Sequence, residues 1–122
     1  MTNKVHNTKR YDLEERTFWF GQDVRTFVKK LPKNIGNIED GKQLVRSSGS
    51  VGANYIEANE SLSKKDFVHR IRICRKESKE SVHWLRLVDT GGAQALEQER
   101  GFLVQEATEL MKIFSVIMRK SE

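Results

Sequence analysis

Cysteine and proline are nearly absent from this sequence. Its 122 residues include one cysteine, one proline and eight glycines. The single cysteine, Cys74, excludes an internal disulfide and a cysteine-based zinc cluster, and we expect it to be a small core residue. Because strand-rich domains need turn residues about every ten positions, the shortage of proline and glycine disfavours an all-β fold. These absences favour an all-α protein.

Long apolar runs are missing as well. No stretch approaches the roughly 20 apolar residues that a membrane-spanning helix needs. The opening segment, MTNKVHNTKRYDLEE, has no apolar run of the kind found in signal peptides. We therefore expect a cytoplasmic protein with no membrane partner. The length allows one domain over residues 1–122 with a single core, and residues 1–10 are predicted to form a flexible N-terminal tail.

Patterns typical of catalysis and metal binding are also lacking. The histidines have no second histidine or carboxylate at metal-ligand spacing, and no Ser–His–Asp arrangement is present. Residues 36–43, GNIEDGKQ, approach a phosphate-binding loop, but Gln43 replaces the Ser or Thr that would hold Mg²⁺. GSVG at 49–52 resembles the loop of KH RNA-binding domains without the strands that flank it. We predict a protein that is not an enzyme and that needs no cofactor or metal.

Apolar residues recur at helical spacing in four segments. The first helix is predicted to begin after Asp12, with Glu15 completing a capping box and Tyr11 as a staple, and to end before Pro32. The second is predicted over residues 40–59, after a loop formed by PKNIGNIEDG. The third begins at Ser63 and ends before a DTGG turn at 89–92, and the fourth carries apolar residues from 96 to 118. Short connections between them predict an antiparallel up-down-up-down four-helix bundle.

The predicted core faces of the second and third helices follow from this spacing. In the second helix the face comprises Leu44, Ser48, Val51, Tyr55, Ala58 and Leu62. In the third it comprises Phe67, Ile71, Cys74, Ser78, Ser81, Leu85 and Val88, widened by Ile73, Trp84 and Leu87. The middle of the second helix is rich in small residues. Because glycine inside a helix is unfavourable, Gly49 and Gly52 predict the close approach of another backbone.

The net charge of +5 is unevenly distributed. Residues 1–35 and 64–88 carry balances of +4 and +5, whereas residues 36–63 and 89–122 each carry −2. Within the third helix, seven basic residues recur at spacings of four and three, opposite the apolar face. We call this set the basic stripe: Lys65, His69, Arg72, Lys76, Lys79, His83 and Arg86, with Lys64 and Arg75 beside it. Because ordinary surfaces mix charge signs, we interpret the stripe as a site for nucleic acid; the alternative is a solvated face.

A polar set lies on one side of the second helix. It comprises Arg46, Ser50, Asn54 and Glu57. These residues form either an exposed salt-bridge series or a polar seam buried between helices or subunits, where an unpaired group would be costly.

Surplus aromatic residues predict self-association. Phe18, Trp19 and Phe20 are consecutive, so one helix face cannot bury all three. Together with Trp84, they are the predicted oligomer-interface residues.

Two blocks carry a resemblance to a known family: QLVRSSGSVGANYIEANE (43–60) and KKDFVHRIRICRKESKESVHWLRLV (64–88). They resemble the small four-helix-bundle proteins encoded within intervening sequences of bacterial 23S rRNA genes. YDLEERTF and ELMKIFSVI extend the resemblance over about residues 11–118. It implies a ring-like homopentamer without known catalytic activity. It also implies kinship with the accessory variability determinant proteins of diversity-generating retroelements, which bind nucleic acid and a reverse transcriptase through basic surfaces.

Two hypotheses for function result. In the first, a homo-oligomer, a pentamer by the resemblance, binds structured RNA or another nucleic acid by shape and charge through the basic stripe. In the alternative, the protein is an interaction scaffold that recruits a partner such as a reverse transcriptase, with nucleic-acid contact secondary. A steep fall in affinity with salt favours the first hypothesis.

Overall fold

The computed structural model describes residues 12–122, which form four α-helices. They are α1 (Leu13–Lys29), α2 (Ile35–Asn59), α3 (Lys64–Leu87) and α4 (Gln94–Ser121). Each helix packs against the next one in the chain, and α1 also packs against α4. These contacts are those of an up-down four-helix bundle, so the all-α prediction is confirmed. Within residues 12–122, no helix is long and apolar enough to cross a membrane.

Side-chain caps set the starts of α1 and α3 where the sequence predicted them. The Oδ1 atom of Asp12 accepts a hydrogen bond from the Glu15 amide at 3.0 Å, and Ser63 Oγ accepts one from the Asp66 amide at 3.1 Å. Each bond satisfies an amide that has no partner within the first helical turn. The predicted staple at Tyr11 and the predicted tail, residues 1–10, lie outside the described residues.

The start of α2 corrects a prediction. The helix begins at Ile35 rather than near residue 40, because Asn34 caps it by accepting a hydrogen bond from the Asn37 amide at 2.8 Å. The buried Asn37 side chain donates to the carbonyls of Pro32 and Asp89 at 2.8 and 2.7 Å and accepts from the Asp89 amide at 2.8 Å. One amide side chain thus ties the α1–α2 connection to the α3–α4 connection. Most of PKNIGNIEDG is therefore helix rather than loop.

The turn after α3 agrees with its sequence. Gly91 and Gly92 have φ angles of 69° and 78°, a backbone conformation that residues with a Cβ atom rarely adopt. Arg100 of α4 completes this end of α3 by donating to the carbonyls of Leu85 and Val88 at 3.1 and 2.6 Å. The last carbonyls of α3 therefore find a partner on the neighbouring helix.

The core contains one face of every helix. Its largest fully buried side chains are Phe20, Phe27, Leu44, Ile71, Leu85, Leu110 and Phe114. Cys74 is buried among them, as predicted. Leu62 and Leu87 were wrongly assigned to core faces. Leu62 follows the end of α2 and is 99% exposed, and Leu87 is the last residue of α3 and is 53% exposed. Both residues keep the spacing of the apolar face, but they lie beyond the part of the helix that contacts its neighbours.

Helices α1 and α2 approach closely at glycines, as the sequence predicted. A Cβ atom added to Gly52 would lie 3.1 Å from Thr17 Oγ1, and one added to Gly21 would lie 3.8 Å from the Cα atom of Gly49. A side chain at Gly52 would crowd Thr17, whereas a methyl group at Gly21 would make an ordinary van der Waals contact with α2. The small residues of α2 therefore set the distance between the first two helices.

Candidate nucleic-acid interface

The basic stripe lies on the outer side of α3. All seven of its residues are exposed, as is Lys64, whereas Arg75 is half-buried. The buried residues of the same helix, Ile71, Cys74 and Leu85 among them, lie on the opposite side. At 1.5 Å per residue, the stripe extends about 30 Å along the helix. A single straight helix thus presents its cations in one row.

Among the described residues, the lysines and arginines of the stripe have no ion-pair partners. Within residues 12–122, none of the five donates a side-chain hydrogen bond or lies within ion-pair distance of a carboxylate. These five are Lys65, Arg72, Lys76, Lys79 and Arg86. Of the stripe's two histidines, His83 rests edge-to-face on Trp84, with ring centroids 4.7 Å apart. The cationic groups of the row are therefore available to a ligand.

The acidic residues in the middle of α3 are turned toward α2. Arg46 of α2 donates from Nη1 to Glu77 Oε1 at 3.3 Å, and its Nη2 contacts Glu80. Glu80 also accepts a hydrogen bond from Trp84 Nε1 at 2.9 Å. The Trp84 bond, followed by Arg46 and the nearby charge of Lys76, lowers the pKa of Glu80 below its ordinary value. Arg46 thus engages both carboxylates from the α2 side, although Glu80 also lies beside the basic row.

The polar set on α2 lies at the α2–α3 boundary within one subunit. Arg46 reaches Glu77 and Glu80, and Asn54 Oδ1 accepts a hydrogen bond from Arg70 Nη1 at 3.0 Å. The Asn54 Nδ2 atom donates to the backbone carbonyl of Ser50 at 2.9 Å. Ser50 and Asn54 are half-buried, whereas Arg46 and Glu57 are exposed. This set therefore combines the two alternatives: it is a seam between helices whose ends lie at the surface.

A shallow groove follows the boundary between α3 and α4, beside the stripe. Its first part is lined by Arg72, Arg75, Lys76, Lys79, Met111 and Ser115. Its second part is lined by Lys76, Lys79, Glu80, Val82, His83, Arg86, Thr108 and Met111. The three residues from α4 were not predicted as part of the site. Met111 and Ser115 are four residues apart at the edge of the α4 core face, a position that one sequence does not distinguish from core.

Acidic residues of α4 are paired with α1. Arg16 donates from Nε and Nη2 to the two carboxylate oxygens of Glu106 at 2.8 and 2.9 Å, and Nη2 also reaches Glu109 at 2.8 Å. Hydrogen bonding to Glu106 is the main cause that raises the pKa of Arg16. Lys30 Nζ lies 2.8 Å from Glu99. These carboxylates face α1. The α4 residues that line the groove are the neutral Thr108, Met111 and Ser115.

The predicted interface aromatics separate into different environments. Phe18 is 57% exposed and meets the half-buried Trp19 edge-to-face, with ring centroids 5.3 Å apart. Phe20 is only 1% exposed and packs in the core with Val24 and Phe27. Its assignment to an oligomer interface is wrong, because it faces the centre of its own bundle. Trp84 is half-buried, packs against the core and donates to Glu80.

Among the described residues, the cysteine thiol is buried and no metal-binding cluster is found. Burial raises the pKa of the Cys74 thiol to about 12. Among residues 12–122, no three His, Cys, Asp or Glu side chains are arranged to hold a metal ion.

Comparison with known proteins relates this chain to one protein family and to a solved structure. Residues 9–115 match the profile of a family described as 23S rRNA-intervening sequence protein. No curated protein sequence matches the chain significantly. Its fold is similar to the crystal structure of a protein with unknown function from the S23 ribosomal protein family, from Bacteroides thetaiotaomicron VPI-5482. The TM-score is 0.74 at 24% identity, over 88% of this chain and 98% of the other. Since the profile covers most of the sequence, the chain belongs to the 23S rRNA-intervening sequence protein family.

Proposed function

We propose that this protein is a non-enzymatic homo-oligomer, a pentamer, that binds structured RNA through the basic stripe of α3. The observation that carries the proposal is the exposed row of five lysines and arginines without ion-pair partners in the described residues. A rod of cations about 30 Å long can contact several phosphates at once. Each contact releases condensed counterions, which drives binding without base recognition.

The arrangement of the cations in one row, rather than their lack of partners alone, supports this interpretation. Lys30 and Lys42 have carboxylate partners, whereas other exposed cations outside the stripe, such as Lys33 and Lys120, have no ion pair among residues 12–122. Like charges three and four residues apart on a helix repel each other. An ordinary solvated face relieves that repulsion by mixing signs, and the outer side of α3 does not. A polyanionic ligand would supply the missing counter-charge.

Exposed apolar side chains support self-association. Phe18, Ile56 and Phe102 are each more than half exposed. Large exposed apolar groups are typical of contact surfaces. The resemblance described above adds the ring of five subunits. In such a ring each subunit contributes one basic stripe, so several weak phosphate contacts act together on one RNA.

A charge-reversal variant tests the proposal. Arg72→Glu, Lys76→Glu and Lys79→Glu together should lower affinity for structured RNA at least 100-fold while leaving the helical content unchanged. Lys29→Glu, Lys33→Glu and Lys120→Glu form the matched control, because all three are exposed and the formal charge changes equally, from +5 to −1. The control should keep most of its affinity. Equal losses in both variants would mean that net charge, and not the stripe, determines binding.

Salt dependence and subunit number complete the test. The logarithm of affinity should fall with the logarithm of salt concentration at about 0.7–0.9 per phosphate contacted. Light scattering in the same buffers should give the mass of a pentamer. A monomer that binds RNA with the same slope would keep the RNA proposal and reject the oligomer.

A second candidate function is an interaction scaffold that recruits a partner protein, such as a reverse transcriptase. One observation favours it: Phe18 and Ile56 are exposed beside a groove between α1 and α2 whose other residues include Gly49, Gly52 and Ala53. Apolar groups around a groove suit a protein partner better than a phosphate backbone. A partner complex that survives high salt and is lost in Phe18→Ser would support this function. Control variant Phe102→Ser should retain that complex.

A further inference from the structure

We infer that the groove between α3 and α4 receives an unpaired nucleic-acid strand, with phosphates along α3 and bases against Met111. The inference rests on the proposed RNA binding and specifies which part of a structured RNA occupies the site. Its basis is the arrangement of charge across the groove, which differs on the two walls.

The groove is continuous along the helix pair. Its two parts share Lys76, Lys79 and Met111, so they join end to end. From Arg72 to Arg86 the groove follows α3 for about 21 Å at 1.5 Å per residue. The first part alone encloses about 590 Å³, within the range of roughly 300–1,000 Å³ typical of ligand sites. A flexible strand can follow such a channel.

The α3 wall is mainly cationic, and its carboxylate Glu80 is paired with Arg46, whereas the α4 wall is neutral. Thr108, Met111 and Ser115 face the row of lysines and arginines. A single strand has the same polarity, with charged phosphates along one edge and bases along the other. Proteins that bind single strands combine a cationic groove with aromatic side chains on which the bases stack, and here Met111 would take the place of the aromatic ring. Met111 offers a polarizable apolar surface for that contact.

A duplex fits the groove poorly. Its bases are stacked inside the helix, and charged strands bound its grooves on both sides. Neighbouring helices in a bundle lie only about 8–10 Å apart. The bases of a duplex therefore do not reach the α4 wall, and only the outermost cations of α3 contact it. An unpaired loop or end of an RNA can use both walls.

Arg75 strengthens the assignment. It is half-buried and lines the groove, yet it has no ion-pair partner among residues 12–122. Three carboxylates of α4 pair with α1 instead, because Glu106 and Glu109 bind Arg16 and Glu99 binds Lys30. A guanidinium with no carboxylate partner is suited to hold a phosphate through two hydrogen bonds.

Two substitutions on α4 test the inference without changing the stripe. The probes are an unstructured 12-nucleotide RNA and the duplex that it forms with its complement, compared by fluorescence anisotropy at one salt concentration. The parent protein should bind the single strand at least fivefold more tightly. Ser115→Glu places a carboxylate in the groove and should weaken single-strand binding at least tenfold. Gln98→Glu, an exposed position on α4 outside the groove, makes the same change in charge and should alter affinity less than twofold.

Met111→Ala gives a second measurement that involves no charge. It should reduce the preference for the single strand by about threefold and leave duplex binding unchanged, and the helical content of each variant checks that it folds. If the parent binds RNA, the stripe reversal abolishes that binding, and both α4 variants keep the parental preference, the groove inference is overturned while the proposed function stands. If the parent binds neither probe at low salt, the proposed function itself fails.

Discussion

The guanidinium of Arg16 holds the carboxylate of Glu106 by two parallel contacts, although the residues are 90 positions apart in the chain. The two side chains are only 10% and 16% exposed. The pair therefore fixes α1 against α4 where little water can replace either partner. Glu106 lies on the side of α4 that faces α1, away from the groove residues Thr108 and Met111.

Glu106→Gln should destabilise the fold by about 1–3 kcal/mol, because the buried guanidinium keeps its desolvation cost and loses its main counter-charge. Chemical unfolding measures the change. Glu39→Gln is the control, since the exposed Lys42–Glu39 pair should contribute less than about 0.5 kcal/mol. Equal effects of the two substitutions would show that burial does not strengthen the Arg16 pair.

Two helical glycines, Gly52 at the α1–α2 contact and Gly101 on the surface of α4, predict opposite effects of substitution by alanine. Gly52→Ala should lower the free energy of unfolding by about 1 kcal/mol, because its Cβ meets Thr17 at 3.1 Å. Gly101→Ala should raise it by about 0.5–1 kcal/mol, because that helical position has open space around it. Thr17→Ala should reduce the penalty at Gly52 in a double-mutant cycle. A stabilising Gly52→Ala would contradict the close packing described here.

The Glu80 interactions predict a contribution to stability that depends on pH. The folded state lowers the pKa of Glu80, mainly through the Trp84 hydrogen bond, from an ordinary value of 4.5. The unfolded chain then binds a proton more readily, so the contribution is present above that ordinary value and lost as pH falls through the lowered folded pKa. Below about pH 4.5, unfolding free energy should fall less steeply in Glu80→Gln than in the parent protein. If the unfolding free energies of Glu80→Gln and the parent protein fell in parallel below about pH 4.5, the Glu80 carboxylate would not be specifically stabilised in the folded state.

The Cys74 thiol should be unreactive in the folded protein. It is fully buried, its Sγ lies 3.5 Å from the Val51 carbonyl oxygen, and burial raises its pKa to about 12. Because the thiolate is the reactive form, labelling by a disulfide reagent at pH 8 should be at least 100-fold slower in native protein than in denaturant. Gln98→Cys adds an exposed thiol as an internal control, so one equivalent should react quickly and the second slowly. Two fast equivalents would indicate opening of the core.

Local signals explain which parts of the fold the sequence predicts. The caps at Asp12 and Ser63 act over three residues, and the helix faces repeat with a fixed period, so both follow from short segments. The start of α2 was missed because Gly36 and Gly41 resemble turn residues. Asn34 caps the helix there, and the Asn37 side chain also holds this end through hydrogen bonds to Asp89, 52 positions away. The Asn34 cap is a local signal, whereas the contact with Asp89 has no signal within the segment.

In the candidate site, too, some features can be predicted from one segment of sequence and others depend on contacts between helices. The basic stripe lies on one helix, so its spacing predicts its exposed side. Whether the acids beside it are paired depends on another helix: Arg46 of α2 engages Glu77 and Glu80. The role of Met111 depends on how α4 lies beside α3. Neither relationship has a signature within a single helix.

In the unliganded bundle, the cations of the basic stripe on α3 repel one another, and this repulsion lowers the stability of the fold. Cations one helical turn apart repel each other by a few tenths of a kcal/mol per pair, and salt screens this repulsion. A bound polyanion would remove the repulsion and raise the unfolding temperature of the bundle. Added salt then acts in two opposite directions, since it stabilises the empty protein and weakens its hold on RNA. The features that make this surface a candidate interface make it the part of the fold most sensitive to the ionic medium.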